Sequence, residues 1–151
     1  MNQKEKQFEN WKKNTSSRIK SWKKGLIDDD EKLELDFSEN SLFKLENYII
    51  SKYSPIDLKN QEKNIELDGI VSYIGETLIR LLPESKWIIY TKDKTNVYYN
   101  LPCVNTKYSG SISVHFLLRE ILNAKTFDII ETRLKAVRKC DEEIRNHLNE
   151  N

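Results

Sequence analysis

The sequence predicts a single α+β domain over residues 1–151, with about five helices packed on a small antiparallel sheet or hairpin. Apolar residues recur at helical spacing in five separate stretches, whereas the runs 87–91 and 97–101 are short and have the composition of strands. No linker is long enough to divide the chain into two domains. A chain of this length buries about 68–70% of its unfolded surface, and its 38% apolar residues are enough for a modest core.

A basic amphipathic helix is expected within residues 1–26. Its apolar side chains follow one another in steps of three and four over residues 4–24, and Gly25 after Lys23 and Lys24 is typical of a helix C-terminus. The alternating residues 33–37 then predict a short strand or an extended lead-in. The stripe of the first helix consists of Phe8, Trp11, Thr15, Ile19, Trp22 and Leu26.

Two further helices are predicted in the first half of the chain. Ser38 is placed to cap the second helix, which ends before Pro55. The third helix covers about residues 61–82, and Pro83 stops it. Gly75 lies inside this third helix, where glycine costs about 1 kcal/mol relative to alanine. We therefore expect another backbone to pack closely against Gly75.

The second half of the chain is predicted to hold a hairpin and two helices. Strands 87–91 and 97–101 would be joined by the loop 92–96, and Pro102 would end the second strand or keep it at an edge. A fourth helix carries Val114, Leu117 and Ile121 on one face. A C-terminal amphipathic helix follows within residues 126–148, with Thr126 as its expected cap.

The termini, cysteines and histidines indicate a cytoplasmic protein without a cofactor. No apolar run approaches the 18 or so residues that span a bilayer, and the first eight residues lack the apolar segment of a secretory signal. In a reducing compartment, free thiols are favoured over a disulfide between Cys103 and Cys140. No metal is predicted, because a zinc site would need these cysteines to converge with the distant His115 and His147.

Charge is segregated along the chain although the net charge is only +1. Residues 1–24 carry a net charge of +6, and residues 28–46 carry −6. Such a distribution can steer a charged partner toward the protein. The alternative is that the two segments neutralise one another within the monomer, and the sequence leaves both interpretations open.

Candidate catalytic groups are few, and we expect no enzyme activity. The chain contains no phosphate-binding P-loop, no GxGxxG, no GxSxG and no HExxH motif. Cys103 and His115 would be a nucleophile and a base only if they met in the fold. Cys103 follows a strand-like run, so burial as an ordinary core thiol is favoured.

Three polar residues of the third helix are candidates for a functional site: Tyr73, Glu76 and Arg80. Glu76 and Arg80 are four positions apart in the favourable order for an intrahelical ion pair, and Tyr73 lies on the same ridge. One interpretation is a polar patch that binds a small ligand. The other is an exposed ion pair that contributes a few tenths of a kcal/mol.

Several of these residues belong to a pattern that resembles a group of small bacterial proteins of unknown function. The pattern is a helix start of the form L-D-[FY]-S followed by Y-[IL]-G-E-x-L-x-R…W, and it covers residues 33–122. The resemblance implies a shared fold, and some members are similar to immunity proteins encoded beside secreted toxins. The matching positions are Leu35-Asp36-Phe37-Ser38, Ser41-Leu42, Leu45-Glu46, Gly69, Tyr73-Ile74-Gly75-Glu76-Thr77-Leu78, Arg80 and Trp87.

Together these observations predict a non-enzymatic protein that binds another protein, with a bacterial toxin as the partner that the resemblance implies. An acidic cluster and tyrosines near the hairpin are the expected contacts, since tyrosine is enriched at interfaces and charge speeds association. A small-ligand site at Tyr73, Glu76 and Arg80 is the alternative. The expected protein contacts are Asp28, Asp29, Asp30, Glu31, Tyr90, Tyr98 and Tyr99.

Nucleic-acid binding through the basic N-terminal helix is a third interpretation, which the sequence disfavours. Trp11 and Trp22 fall on the apolar stripe of that helix, so they are better suited to packing than to base stacking. The sequence pI of about 7.7 is also below that of dedicated nucleic-acid-binding domains.

Overall fold

The computed structural model describes residues 1–26 and 33–150, and within these ranges it confirms the α+β class. The described residues form six α-helices and a three-stranded antiparallel sheet. Short 3-10 turns at Pro55–Lys59 and Gln61–Lys63 connect the third helix to the fourth. The helices are α1 (Gln3–Lys13), α2 (Thr15–Lys24), α3 (Glu39–Lys52), α4 (Asn64–Leu81), α5 (Val114–Ala124) and α6 (Ile129–Asn149), and the strands are β1 (Lys86–Ile88), β2 (Cys103–Asn105) and β3 (Ser111–Ser113).

The predicted N-terminal helix is in fact two helices, α1 and α2, separated at Asn14. Asn14 leaves the helical region with φ −106° and ψ 12°. Its side-chain amide donates to the carbonyl oxygen of Asn10 at 2.8 Å, a local bond of the kind that competes with the helical backbone. The apolar stripe nevertheless stays continuous across the break, because Phe8, Ile19 and Trp22 are all buried.

Residues 34–37 form a tight turn, so neither the short strand nor the extended lead-in predicted for residues 33–37 is present. Glu34 and Phe37 both have positive φ, at 49° and 60°, and the Asp36 amide donates to the Glu34 carbonyl at 2.8 Å. The turn leads into α3 as expected, since the Ser41 amide donates to the Ser38 hydroxyl at 3.1 Å. The Ser38 cap is therefore confirmed.

Helix α4 is the centre of the fold, and two glycines allow its close contacts. A Cβ on Gly75 would lie 1.9 Å from Cη2 of Trp87, so the space is filled by an indole ring and the expected backbone contact is wrong. Close backbone approach occurs at Gly69 instead. A Cβ there would lie 2.2 Å from Cβ of Trp22 and 3.0 Å from the carbonyl oxygen of Arg18 in α2.

The sheet has the order β1-β2-β3, and its pairing differs from the predicted hairpin. Trp87 in β1 lies opposite Val104, which in turn lies opposite Ile112 in β3. The predicted strand 97–101 is wrong, because these residues form turns and bends apart from an isolated parallel bridge between Tyr99 and Tyr90, and Asn100 has a φ of 59°. Strand β1 therefore finds its partner only after the irregular segment 89–102.

The C-terminal helices close the core. Helix α5 forms as predicted and buries its apolar face, and α6 begins at Ile129. The expected cap Thr126 is not used. The buried carboxylate of Glu46 in α3 instead accepts hydrogen bonds from the amides of Ile129 and Ile130, both at 2.9 Å.

Candidate functional site

The segment 89–102, which we call the tyrosine loop, connects β1 to β2 and orders itself by internal hydrogen bonds. The Asn100 amide donates to the Tyr90 carbonyl at 2.8 Å and closes the base of the loop. At the tip, the Thr95 amide donates to the Asp93 carboxylate at 2.9 Å. The Tyr98 amide donates to the side-chain oxygen of Asn96 at 2.8 Å. A compact loop whose ends meet is a form often used for function.

The three tyrosines predicted as contacts hold this loop against the domain. The Tyr90 hydroxyl lies 2.6 Å from the Ser111 hydroxyl, and the Tyr98 ring packs edge-on to Phe116 with centroids 5.2 Å apart. Tyr99 accepts a hydrogen bond from the ammonium of Lys4, which also lies 4.2 Å from the Tyr99 ring centroid. All three tyrosines are half-buried, so each keeps part of its surface open to solvent.

The tyrosine loop exposes one apolar side chain and several charged ones near its tip. Val97 is 70% exposed, one of the highest values for a large apolar residue in the described part of the chain. Lys92, Asp93 and Lys94 are also exposed. This combination of a rigid loop, an exposed apolar tip and partly exposed tyrosines is suited to contact with a macromolecule.

The predicted acidic contacts lie outside the described residues. Asp28, Asp29, Asp30 and Glu31 all fall in the segment 27–32. Their role beside the tyrosines therefore stays a prediction from the sequence.

Tyr73, Glu76 and Arg80 do not form a common surface patch. Tyr73 is fully buried, and its hydroxyl accepts from the Phe37 amide at 2.9 Å and lies 2.7 Å from the Ser41 hydroxyl. Glu76 accepts from the indole N–H of Trp87 at 3.1 Å. The Arg80 guanidinium stacks on Phe37 at 3.6 Å. Tyr73 and Arg80 thus both hold Phe37 in place, whereas Glu76 holds Trp87.

Glu76 and Arg80 also do not pair with one another, so the expected intrahelical ion pair is wrong for the described residues. Neither side chain lines the cavity between α4 and α5 that is described below. The ligand site at these residues stays a prediction from the sequence.

The tryptophans of the basic N-terminal segment are used in packing. Trp22 is 2% exposed. Trp11 packs edge-on to Trp87 with centroids 4.8 Å apart and is covered by the guanidinium of Arg18 at 4.0 Å. Base stacking would require free aromatic faces, so this geometry gives no support to nucleic-acid binding through α1 and α2.

A cavity of about 810 Å³ is a second candidate site, which the sequence predictions missed. Its walls are the turn Pro55–Lys59, one face of α4 and one face of α5, and Leu101 closes one side. The buried side chains of Leu67, Val71 and Leu118 provide an apolar lining. The polar side chains that line it are Lys59, Asn64, Asp68, His115, Arg119 and Asn123.

Asp68 and His115 influence each other across this cavity. The cavity walls raise the pKa of the Asp68 carboxyl by restricting its hydration, and nearby His115 and Arg18 partly oppose that rise. Burial lowers the pKa of His115, with Asp68 acting in the opposite direction. Nδ1 of His115 is buried without a hydrogen-bond partner. The cavity wall therefore combines an exposed carboxylate, Asp68, with a histidine whose Nδ1 has no hydrogen-bond partner.

The sequence contained a weak signal for this cavity. Asn64 and Asp68 are four residues apart in α4, and His115, Arg119 and Asn123 follow the same spacing in α5. Each set thus lies on one helical face. Spacing alone could not show that the two faces meet, because that depends on how α4 and α5 pack.

The remaining reactive groups give no indication of catalysis. Cys103 and Cys140 are free thiols. Cys103 is fully buried, and burial raises its pKa to about 11, which opposes formation of a nucleophilic thiolate. Among residues 1–26 and 33–150, no three His, Cys, Asp or Glu side chains are grouped so that they could hold a metal ion. No helix in these ranges has the length and apolar character needed to cross a membrane.

Comparison with known proteins yielded no match to a family model, to a curated protein or to a solved structure. The class of protein that the structure defines is therefore an α+β domain with an ordered tyrosine loop and a mixed polar and apolar cavity.

Proposed function

We propose that this protein acts without catalysis by binding another protein, and that the partner is a bacterial toxin which it neutralises. The tyrosine loop is the observation that best supports protein binding. Irregular segments of more than about 12 residues inside a compact domain are uncommon and usually functional. This one spans residues 89–102 and is ordered by its own hydrogen bonds. The toxin as partner is supported by the family resemblance of residues 33–122.

The proposed contact surface is centred on Val97 and the partly exposed faces of Tyr98 and Tyr99. An exposed valine beside aromatic side chains gives a small apolar centre, which the exposed Lys92 and Lys94 border with charge. Because the loop is already ordered in the free protein, binding costs less conformational entropy than it would for a flexible segment.

The acidic residues Asp28, Asp29, Asp30 and Glu31 are proposed as a second contact. Their charge would favour a basic partner and increase the rate of association. The proposal also keeps the cytoplasmic location expected from the sequence.

Quantitative co-purification from the source cells tests this function. Affinity-tagged wild-type protein and a Val97→Asp variant are recovered under mild conditions, and co-eluting proteins are measured by mass spectrometry. We expect one protein to co-elute with the wild type in near-stoichiometric amount and to be reduced about tenfold or more with Val97→Asp, because a charge would be buried at the apolar centre of the contact.

Ile65→Asp is the matched control, since Ile65 is 68% exposed but lies in α4 and outside the tyrosine loop. It should retain the partner at the wild-type level.

Expression of the captured protein alone and together with wild-type protein then tests neutralisation. Elution of the wild type as a lone monomer would contradict protein binding, and a captured partner that is harmless to cells would contradict the toxin assignment.

A further inference from the structure

We propose that the cavity between α4, α5 and the turn Pro55–Lys59 is a binding site for a small zwitterion with an apolar side chain, such as an apolar α-amino acid. Three charged side chains of both signs line this cavity: Asp68, Lys59 and Arg119. Eight ion pairs form elsewhere among the described residues, and none of them involves these three side chains.

Asp68 is the expected partner for a cationic group. Its carboxylate opens into the cavity and accepts no hydrogen bond from any described residue. Arg18 affects the pKa of Asp68 electrostatically but forms no hydrogen bond with it. The Arg18 guanidinium instead donates to Ser72 at 2.9 Å and stacks on Trp11. Asp68 is an exposed residue, so a ligand ammonium could replace water at its carboxylate and form charge-assisted hydrogen bonds there.

Arg119 is the expected partner for an anionic group. It is exposed at the cavity, and the only contact of its guanidinium within the described chain is stacking on Phe116 at 4.5 Å. One helical turn, about 6 Å, separates it along α5 from His115, which is influenced by Asp68. Asp68 on α4 and Arg119 on α5 thus place an anionic and a cationic group on the wall of one cavity, and the two charged ends of a free amino acid could pair with such groups.

The apolar lining accounts for the side chain of the proposed ligand. Leu67, Val71 and Leu118 are buried beneath the polar groups, and Ile56 on the turn is 76% exposed beside them. An apolar body placed here would cover Ile56 and displace water from the cavity, which favours binding. A simple amine or a simple carboxylate would leave one of the two charges without a partner.

Isothermal titration calorimetry with matched probes tests the assignment. The probes are L-valine, L-leucine, L-isoleucine, L-methionine and L-phenylalanine, together with 3-methylbutylamine and 4-methylpentanoate, which are leucine without its carboxylate and without its amine. We expect saturable binding of at least one amino acid, with the corresponding amine and acid about tenfold or more weaker.

Two variants separate the roles of the charged groups. Asp68→Asn should weaken binding of the amino acid and of the amine about tenfold or more, and leave the acid unchanged. Arg119→Gln should weaken the amino acid and the acid and leave the amine unchanged. Arg138→Gln is the control, because Arg138 pairs with Glu39 outside the cavity, and it should bind as the wild type does.

Absence of saturable binding by all five amino acids up to about 10 mM, tenfold beyond a weak Kd of about 1 mM, would overturn the proposal. So would unchanged affinity in both cavity variants, provided that circular dichroism shows them to be folded. The inference is independent of the proposed protein partner, since Val97→Asp should leave the calorimetric binding intact.

Discussion

At the scale of single residues, the contact between Gly75 and Trp87 shows what a glycine within a helix can predict about its neighbours and what it cannot. Glycine inside an otherwise regular helix predicts a close approach, and the approach is there. The neighbour is the Trp87 indole, whose N–H also donates to Glu76 at 3.1 Å. Nothing in the spacing of residues 73–80 could distinguish an indole from a backbone, because both require the same missing Cβ.

Gly75→Leu should destabilise the protein by about 1–3 kcal/mol or more. Its Cβ alone would lie 1.9 Å from the rigid ring of Trp87, so the ring or the helix must move. Gly25→Ala is the matched control, because a Cβ there meets only the Trp22 carbonyl oxygen at 3.4 Å. Urea unfolding monitored by circular dichroism measures both variants.

Glu76→Gln provides a second comparison in the same helix. The amide oxygen of glutamine can still accept from the Trp87 indole, so we expect a cost below about 1 kcal/mol.

A Gly75→Leu protein as stable as the wild type would show that the indole does not occupy this space. The placement of Trp87 against α4 would then be wrong.

At the scale of elements, Glu46 links two helices that are far apart in the sequence. Its buried carboxylate lies in α3 and accepts from the first two amides of α6, which otherwise have no partner within their own helix. Sequence rules select caps from neighbouring residues, and for that reason they selected Thr126. A cap supplied from 83 positions away depends on packing that no local pattern contains.

Glu46→Ala should destabilise the protein by about 2 kcal/mol or more, because it leaves one buried and one part-buried amide unpaired and opens a cavity. Glu39→Ala, in the same helix, removes only the exposed ion pair with Arg138 and should cost less than about 1 kcal/mol. Thermal and urea unfolding of the two variants measure the difference. Equal costs would mean that Glu46 does not anchor α6.

The strands also show that local sequence patterns do not contain the tertiary contacts that decide the fold. Residues 97–101 are rich in β-prone side chains, and a hairpin with residues 87–91 was the expected result. In the fold, Tyr98 packs on Phe116 and Tyr99 contacts Lys4, so tertiary contacts override strand propensity. The true partner of β1 is the short strand Cys103–Asn105, which offered little local signal.

For the whole molecule, the sequence predicted the α+β class and most helices because burial imposes a regular spacing on apolar residues. It did not predict the cavity at Asp68 and His115, since that cavity exists only where α4 and α5 meet. The sequence indicates Tyr90, Tyr98 and Tyr99 as candidate contacts but does not predict the loop that carries them. Their half-buried anchoring roles became evident only in the fold.

The packing of the whole domain also explains the role of the basic N-terminal segment. Its helices cover the core with Phe8, Ile19 and Trp22, and α2 packs along α4 at Gly69. Their lysines remain at the surface and can contribute to electrostatic steering. The segment is thus a structural layer of the domain whose outer face is charged.

Hydrogen–deuterium exchange of the protein with and without its co-purified partner tests the central claim, binding through the tyrosine loop, most directly. Complex formation should slow exchange of the backbone amides of residues 89–102 more than those of α4 or α6, because the bound partner would exclude water from the loop. Exchange in residues 89–102 that is unchanged by the partner, with protection confined to another surface, would contradict the claim.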